Sequence, residues 1–179
     1  TVTDGNTCSD TASVFVEVYP LPNADAGLDT AICINDSAML SATGGTGYVW
    51  STGAVVANIT VGPIATTTYY VTVTDANTCS ELDSVTVNIN LLPVVDAGND
   101  QTICFNDSVQ IGGAPTGPAG SNYLWSPAGT LGSSTVENPM AGPITTTEYF
   151  VTVTDVNTCV NLDSMTVNVD TLPIPVVSN

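Results

Sequence analysis

Short runs of apolar residues alternate with polar ones along most of this chain, and Gly, Pro, Asn and Asp bound the runs. A period of two puts successive side chains on opposite faces of a strand. "YYVTVT" at 69–74 therefore places Tyr69, Val71 and Val73 on one face and Tyr70, Thr72 and Thr74 on the other. "SVTVNI" at 84–89 turns Val85, Val87 and Ile89 inward and Thr86 and Asn88 outward. "DANTCSELD" between them reads as a hairpin loop rich in turn formers. Upstream, "SAMLSA" offers Ala38 and Leu40 to a core. "GYVWS" offers Tyr48 and Trp50, mirrored by Tyr123 and Trp125 further on. At inward strand positions the two tryptophans are read as core rather than as sugar-stacking platforms. No stretch has helical periodicity of useful length. Six or seven short strands per module, with turns every ~8–12 residues and one Trp mid-module, predict an all-β sandwich.

The pattern also repeats. "VTVTDANTC" at 71–79 returns as "VTVTDVNTC" at 151–159, and "TVTDGNTC" opens the chain. Cys8, Cys79 and Cys159 close the three copies, and the second interval is somewhat longer than the first. A second phrase runs out of phase with the first: "NADAGLDTAICINDSAML" from Asn23 and "VVDAGNDQTICFNDSVQI" from Val94. Its cysteines, Cys33 and Cys104, keep the same interval as Cys8 and Cys79. "LP" at 21–22, 92–93 and 172–173 stands just ahead of each new unit. The expected organisation is the last hairpin of a preceding module at 1–19, full modules at 20–91 and 92–171, and the first strand of a following module at 172–179. Periods this long suit a small self-contained domain better than a solenoid repeat of ~20–50 residues. The proline-bearing junctions "PLPN", "LLPV" and "LPIPVV" read as extended and semi-rigid. Neither end piece can bury its apolar face alone. Both are expected to complete modules of the same polypeptide, or to be exchanged between identical subunits.

Composition narrows the function classes. There is no Lys, Arg or His against 17 Asp plus Glu, so the net charge is −17. Without a cationic side chain the protein cannot neutralise phosphates, which excludes nucleic acid and anionic membrane surfaces as partners. No apolar run approaches the ~20 residues of a membrane-spanning helix, so membrane insertion is not expected. Disorder, the usual consequence of such an imbalance, does not fit: 9% of residues are charged and 43% are hydrophobic in a periodic pattern. Catalysis is not expected either. The usual nucleophile–base pairs need His or Lys, and the carboxylates recur at repeat-equivalent turns instead of converging on one site.

Modules of this size bury limited apolar surface and call for staples. The five cysteines read as one orphan plus one pair per module, Cys33–Cys79 and Cys104–Cys159, each closing a long loop inside its own module. Each such bridge would contribute about 4 kcal/mol on the chain-entropy estimate. Cys8 is left for a partner outside the segment. Zinc is the alternative use of these thiols, but CxxC spacing and histidine are missing. Disulfides in turn predict an oxidising, extracellular setting.

At "DAGNDQTICFNDSVQIGG", "YLWSPAGTL", "ENPMAGPITTTEYFVTVTD" and "LDSMTVNV" the chain resembles the PKD-type, immunoglobulin-like repeats of very large cell-surface proteins in Bacteroidota. The resemblance covers essentially the whole chain. It implies export by the type 9 route and display as a stalk, adhesin or filament. It also implies O-glycosylation at Asp followed by Ser or Thr and then a small or aliphatic residue. Seven positions fit: Thr11, Thr30, Ser37, Ser84, Ser108, Ser164 and Thr171. Plain turn chemistry accounts for Asp-Ser and Asp-Thr before a strand equally well.

Metal binding has one candidate set. Asp25 and Asp29 in "DAGLD", and Asp96 and Asp100 in "DAGND", lie at the module junctions and could hold calcium, which takes oxygen ligands. No EF-hand loop is present, and no other cofactor is expected. Asp75 and Asp155 are expected to cap the turn beside the cysteine. The threonine runs "TTTYYVTVT" and "TTTEYFVTVT" form rows too short for an ice-binding plane. The function expected is a structural repeat of an extracellular fibre, stalk or surface filament. The alternatives are an adhesin whose loops bind a glycan or a partner surface, with the long stretch at 112–121 as the variable loop, and a spacer array on a secreted enzyme.

Overall fold

The computed structural model describes residues 1–171, so the strand expected at 172–179 lies outside the described residues. Among them every regular element is a β-strand. In chain order these are β1 (Val2–Thr3), β2 (Ser9–Asp10), β3 (Thr30–Cys33), β4 (Ala38–Ser41), β5 (Gly47–Trp50), β6 (Asn58–Val61) and β7 (Thr67–Thr74). They continue as β8 (Ser80–Asn90), β9 (Gln101–Cys104), β10 (Val109–Gln110), β11 (Asn122–Ser126), β12 (Met140–Ala141), β13 (Thr147–Thr154) and β14 (Val160–Asp170).

The topology repeats with the sequence. One four-stranded sheet has the order β3-β8-β7-β5 and accompanies the two-stranded sheet β4-β6. The other has the order β11-β13-β14-β9 and accompanies β10-β12. In both, the first strand lies parallel to the end of the last. Thr30 through Cys33 face Val87 through Asn90, and Gln101 through Cys104 face Val167 through Asp170. The other strand pairs with a determined register are antiparallel, with Trp50 opposite Val71 and Trp125 opposite Val151. A four-stranded sheet with a first-to-last parallel pair, backed by a second short sheet, is the immunoglobulin-like sandwich.

The chain falls into two compact units. One comprises Thr1–Asp29, Met39–Val61 and Thr68–Thr86, and the other Thr30–Ala38, Gly62–Thr67 and the chain from Val87 on. In the first, the inward positions read from the alternation are buried: Leu40, Trp50, Val71, Val73 and Val85. Tyr70 on the opposite face of β7 is exposed. The Trp50 indole N–H donates to the Val56 carbonyl at 3.0 Å, which removes the cost of burying it. At the start of this unit β1 and β2 form a hairpin, whereas residues 11–20 form no strand and leave Val14, Phe15, Val16 and Val18 exposed.

In the second unit the core is a cluster of Ala97, Ile111, Trp125, Ala141, Tyr149, Val151, Val153, Met165 and Val167. Val151 and Val153 alternate with half-exposed threonines in β13, and Met165 and Val167 alternate with half-exposed Ser164, Thr166 and Asn168 in β14. The Trp125 indole N–H donates to the Val136 carbonyl at 3.1 Å, repeating the Trp50 arrangement. Both tryptophans are therefore core residues, as their strand position predicts. The 112–121 stretch is anchored inward at its centre. Thr116 is fully buried, its hydroxyl donates to Asn138 Oδ1 at 2.6 Å, and its amide donates to Glu137 Oε1 at 3.2 Å.

Candidate functional site

The strongest recurring geometry is the turn that ends in cysteine. β7 stops at Thr74 and β8 starts at Ser80, so the loop is Asp75–Cys79, shorter than the whole of "DANTCSELD". The difference arises because Glu81, Leu82 and Asp83 continue the strand. Asp75 Oδ1 accepts the amides of Asn77 and Cys79 at 2.8 and 2.9 Å. Asp155 Oδ1 does the same for Asn157 and Cys159 at 2.9 and 2.8 Å, and Asp4 Oδ1 for Asn6 and Cys8 at 2.8 and 3.0 Å. The threonine before each cysteine takes a left-handed backbone, with φ of 72° at Thr7 and 67° at Thr78 and Thr158. The capping role expected of Asp75 and Asp155 is thus the geometry found.

A second recurring geometry sits at the end of the front strands. After Cys33 the Ile34 amide donates to the Asn90 carbonyl at 2.9 Å, and after Cys104 the Phe105 amide donates to the Asp170 carbonyl at 3.0 Å. Asn35 and Asn106 then turn through left-handed backbone with φ of 73° and 71°. Asparagine tolerates this conformation because its short polar side chain bonds locally.

These two geometries decide the disulfide. The structure bonds Cys33 to Cys159, with Cα atoms 5.6 Å apart, and both residues belong to the second compact unit. Cys8, Cys79 and Cys104 are free thiols. The expected pairs Cys33–Cys79 and Cys104–Cys159 are therefore corrected, and the parallel register supplies the reason. Cys104 lies opposite Asp170 at the far end of β14, while Cys159 stands just before that strand begins at Val160. The length of the strand separates those two ends, about 33 Å at ~3.3 Å per residue. A disulfide needs Cα atoms within about 7 Å. Likewise Cys33 faces Asn90, at the opposite end of β8 from Ser80, which follows Cys79. The sequence does not mark this: the full length of the final strand and its parallel pairing with the front strand are seen in the structure.

Each of the junction aspartates accepts a backbone amide on one carboxylate oxygen. Asp25 Oδ1 accepts the Gly27 amide at 2.8 Å, and Asp96 Oδ1 accepts the Gly98 amide at 2.9 Å. Gly27 and Gly98 have φ of 88° and 86°, which explains the glycine of "DAG". Asp29 Oδ1 accepts the Thr86 amide at 2.7 Å and Asp100 Oδ1 that of Thr166 at 2.8 Å. Among the described residues no group of three or more Asp, Glu, Cys or His gathers around a common point. No helix of the described residues is long and apolar enough to cross a membrane.

The Asp-Ser/Thr positions divide. Thr11, Ser37, Ser84, Ser108 and Thr171 are exposed, whereas Thr30 and Ser164 are half-buried. Ser164 donates its hydroxyl to Glu148 Oε1 at 3.0 Å. The sequence reading missed what two of the preceding aspartates do. Asp83 Oδ2 accepts the amide of Ala26, and Asp163 Oδ2 accepts that of Ala97, at 2.8 and 2.9 Å. "LDS" and "DAG" both recur in the sequence, but the recurrence does not say that the one bonds to the other.

No protein-family description and no curated protein matches this chain. Among solved structures, similarity extends to tandems of immunoglobulin domains. An I-band fragment of titin is 11% identical at a TM-score of 0.45, covering 86% of this chain and 67% of that one. Extracellular domains 3–5 of Drosophila OTK are 12% identical at a TM-score of 0.43, with 85% of this chain and 61% of that one covered. The insect immune protein hemolin is 14% identical at a TM-score of 0.42, with 89% of this chain and 49% of that one covered.

Proposed function

We propose that this chain is a stretch of a long extracellular fibre, stalk or surface filament built from tandem immunoglobulin-like repeats, of the PKD-like kind it resembles in Bacteroidota. One observation carries the reading: the Cys33–Cys159 bond joins the front strand of the 20–91 repeat to the cysteine turn of the 92–171 repeat. A bond of that kind ties consecutive repeats together and closes a sequence separation of 126 residues against extension. It is a device for carrying tension, and it forms in an oxidising compartment such as the cell exterior. The shared chemistry of the two repeats supports the same role, because each copy uses its Asp, Thr and Asn to fix turns.

Net charge −17 keeps such an array soluble and resists lateral collapse. The absence of Lys and Arg removes cleavage sites for trypsin-like proteases.

Cryo-electron microscopy of the native, untagged protein from its source tests this. A continuous beaded fibre with repeat-sized beads is the expected image. Short stalks ending in a distinct globular head would instead make these repeats a spacer, with the function in the head.

A further inference from the structure

Cys79 and Cys104 occupy the two positions that are bonded elsewhere in the same structure. Cys79 closes a turn with the geometry of the Cys159 turn: the aspartate four residues back accepts its amide, at 2.9 Å against 2.8 Å, and the preceding threonine has φ 67° in both. Cys104 ends β9 as Cys33 ends β3. Each faces the last residue of the final strand, each accepts an amide from an aspartate three residues on at 3.0 Å, and each is followed two residues later by a left-handed asparagine. A strand-end cysteine and a turn cysteine are thus complementary, and Cys33–Cys159 is one completed instance. Cys104 is a strand-end cysteine without its turn, while Cys79 and Cys8 are turn cysteines without their strand end.

We infer that Cys79 and Cys104 are the open halves of a disulfide ladder, each bonding to the complementary cysteine of a further repeat of this kind. The polarity follows from the completed instance. The strand-end cysteine of one repeat takes the turn cysteine of the repeat that follows it, so Cys104 bonds forward and Cys79 bonds backward. Cys8, in the same turn geometry, bonds backward as well. Neither thiol finds its partner within its own repeat, for the register reason that separates Cys104 from Cys159. The further repeat comes either from the same polypeptide or from a second copy of this chain, and the chemistry is the same in both. Each bond forms from two thiols and one oxidised glutathione, or an equivalent disulfide oxidant. The protein disulfide appears, two electrons pass to the oxidant, and two molecules of reduced glutathione leave with the two protons. The inference rests on the tandem-repeat reading but not on a fibre: ladder bonds in a short stalk would leave it standing while removing the fibre.

Disulfide mapping of the native protein tests it. Free thiols are blocked at low pH, the protein is digested without reduction by a protease specific for acidic residues, and linked peptides are identified by mass spectrometry. The expected result links the Cys104 peptide to an Asp-x-Asn-Thr-Cys turn peptide, and the Cys79 peptide to a strand-end peptide. If the linked species has monomer mass on a non-reducing gel, the partner repeat is in the same polypeptide. Covalent multimers containing Cys104–Cys79 or Cys104–Cys8 that Cys104→Ser abolishes assign it to a second copy. Blocked, unbonded Cys79 and Cys104, or like-with-like bonds between two turns or two strand ends, would overturn the inference.

Discussion

The carboxylate of Asp83 accepts the amide of Ala26 at 2.8 Å across 57 residues of sequence. Asp163 repeats the bond to Ala97 across 66. Ala26 and Ala97 are buried, and each starts the turn that leads into a front strand. The clamp therefore fixes where the front strand meets the last one. A hydrogen bond from a buried amide to a charged group contributes ~1.5–3 kcal/mol. Asp83→Ala and Asp163→Ala are each expected to lower unfolding free energy by about 2 kcal/mol in urea titrations. Asp→Asn at either site keeps an acceptor oxygen and is expected to lose less than half of that. Glu81→Ala, at an exposed position of the same strand, is expected to stay within about 0.5 kcal/mol.

Equivalent valines in the repeat meet different fates. Val85 and Val87 are 1% and 0% exposed in β8, while their counterparts Val14 and Val16 near the start of the chain are 86% and 72% exposed. Val85→Ala is expected to cost about 2 kcal/mol, from two lost buried carbon groups and the cavity left behind. Val14→Ala is expected to change the stability of the isolated chain by less than about 0.5 kcal/mol. Equal losses at both positions by chemical denaturation would mean that 11–20 is packed in solution.

Thr158 holds a left-handed backbone that costs a β-carbon residue about 1–2 kcal/mol. Thr158→Asn is expected to raise stability by about 0.5–1 kcal/mol, since asparagine tolerates this region. Asp155→Ala in the same turn is expected to lower it, because the amides of Asn157 and Cys159 both lose their acceptor. Thermal melts of the two variants in an oxidising buffer separate these opposite signs.

The net charge of −17 is unopposed by any side-chain cation. Raising ionic strength from ~0.01 M to ~0.15 M shortens the screening length from about 30 to about 8 Å. The melting temperature is expected to rise across that range in sodium chloride. Calcium chloride at matched ionic strength is expected to add no saturable further increase, since among the described residues Asp25, Asp29, Asp96 and Asp100 belong to no group of three or more ligating side chains. A saturable calcium shift lost in Asp29→Asn and Asp100→Asn would assign those carboxylates to a metal.

Much of the fold was legible because burial follows a period of two. Val71, Val73, Val85 and Val87 alternate with polar residues, and a one-residue slip would expose all of them. The cysteine turns were legible because Asp, Asn and Thr in fixed order state a local geometry. The disulfide was not. Pairing each repeat with itself ignores that the front strand lies parallel to the far end of a long final strand, and that register is set by long-range contacts. The Asp83 and Asp163 clamps were hidden for the same reason, since nothing local to "LDS" names an amide 57 or 66 residues away. Residues 11–20 carry the alternation of β8 without its structure, because alternation specifies a face and not the sheet that covers it.

The claim that the bond between repeats carries tension is tested most directly by stretching single molecules from their two ends, before and after reduction. Cys33–Cys159 withholds a separation of 126 residues, about 440 Å of contour at ~3.5 Å per residue. The account predicts that the fully extended oxidised chain is shorter than the reduced chain by that length, and that the reductant releases it in one step. Equal lengths in both states would contradict it, as would two smaller steps of the size that separate Cys33–Cys79 and Cys104–Cys159 loops would release.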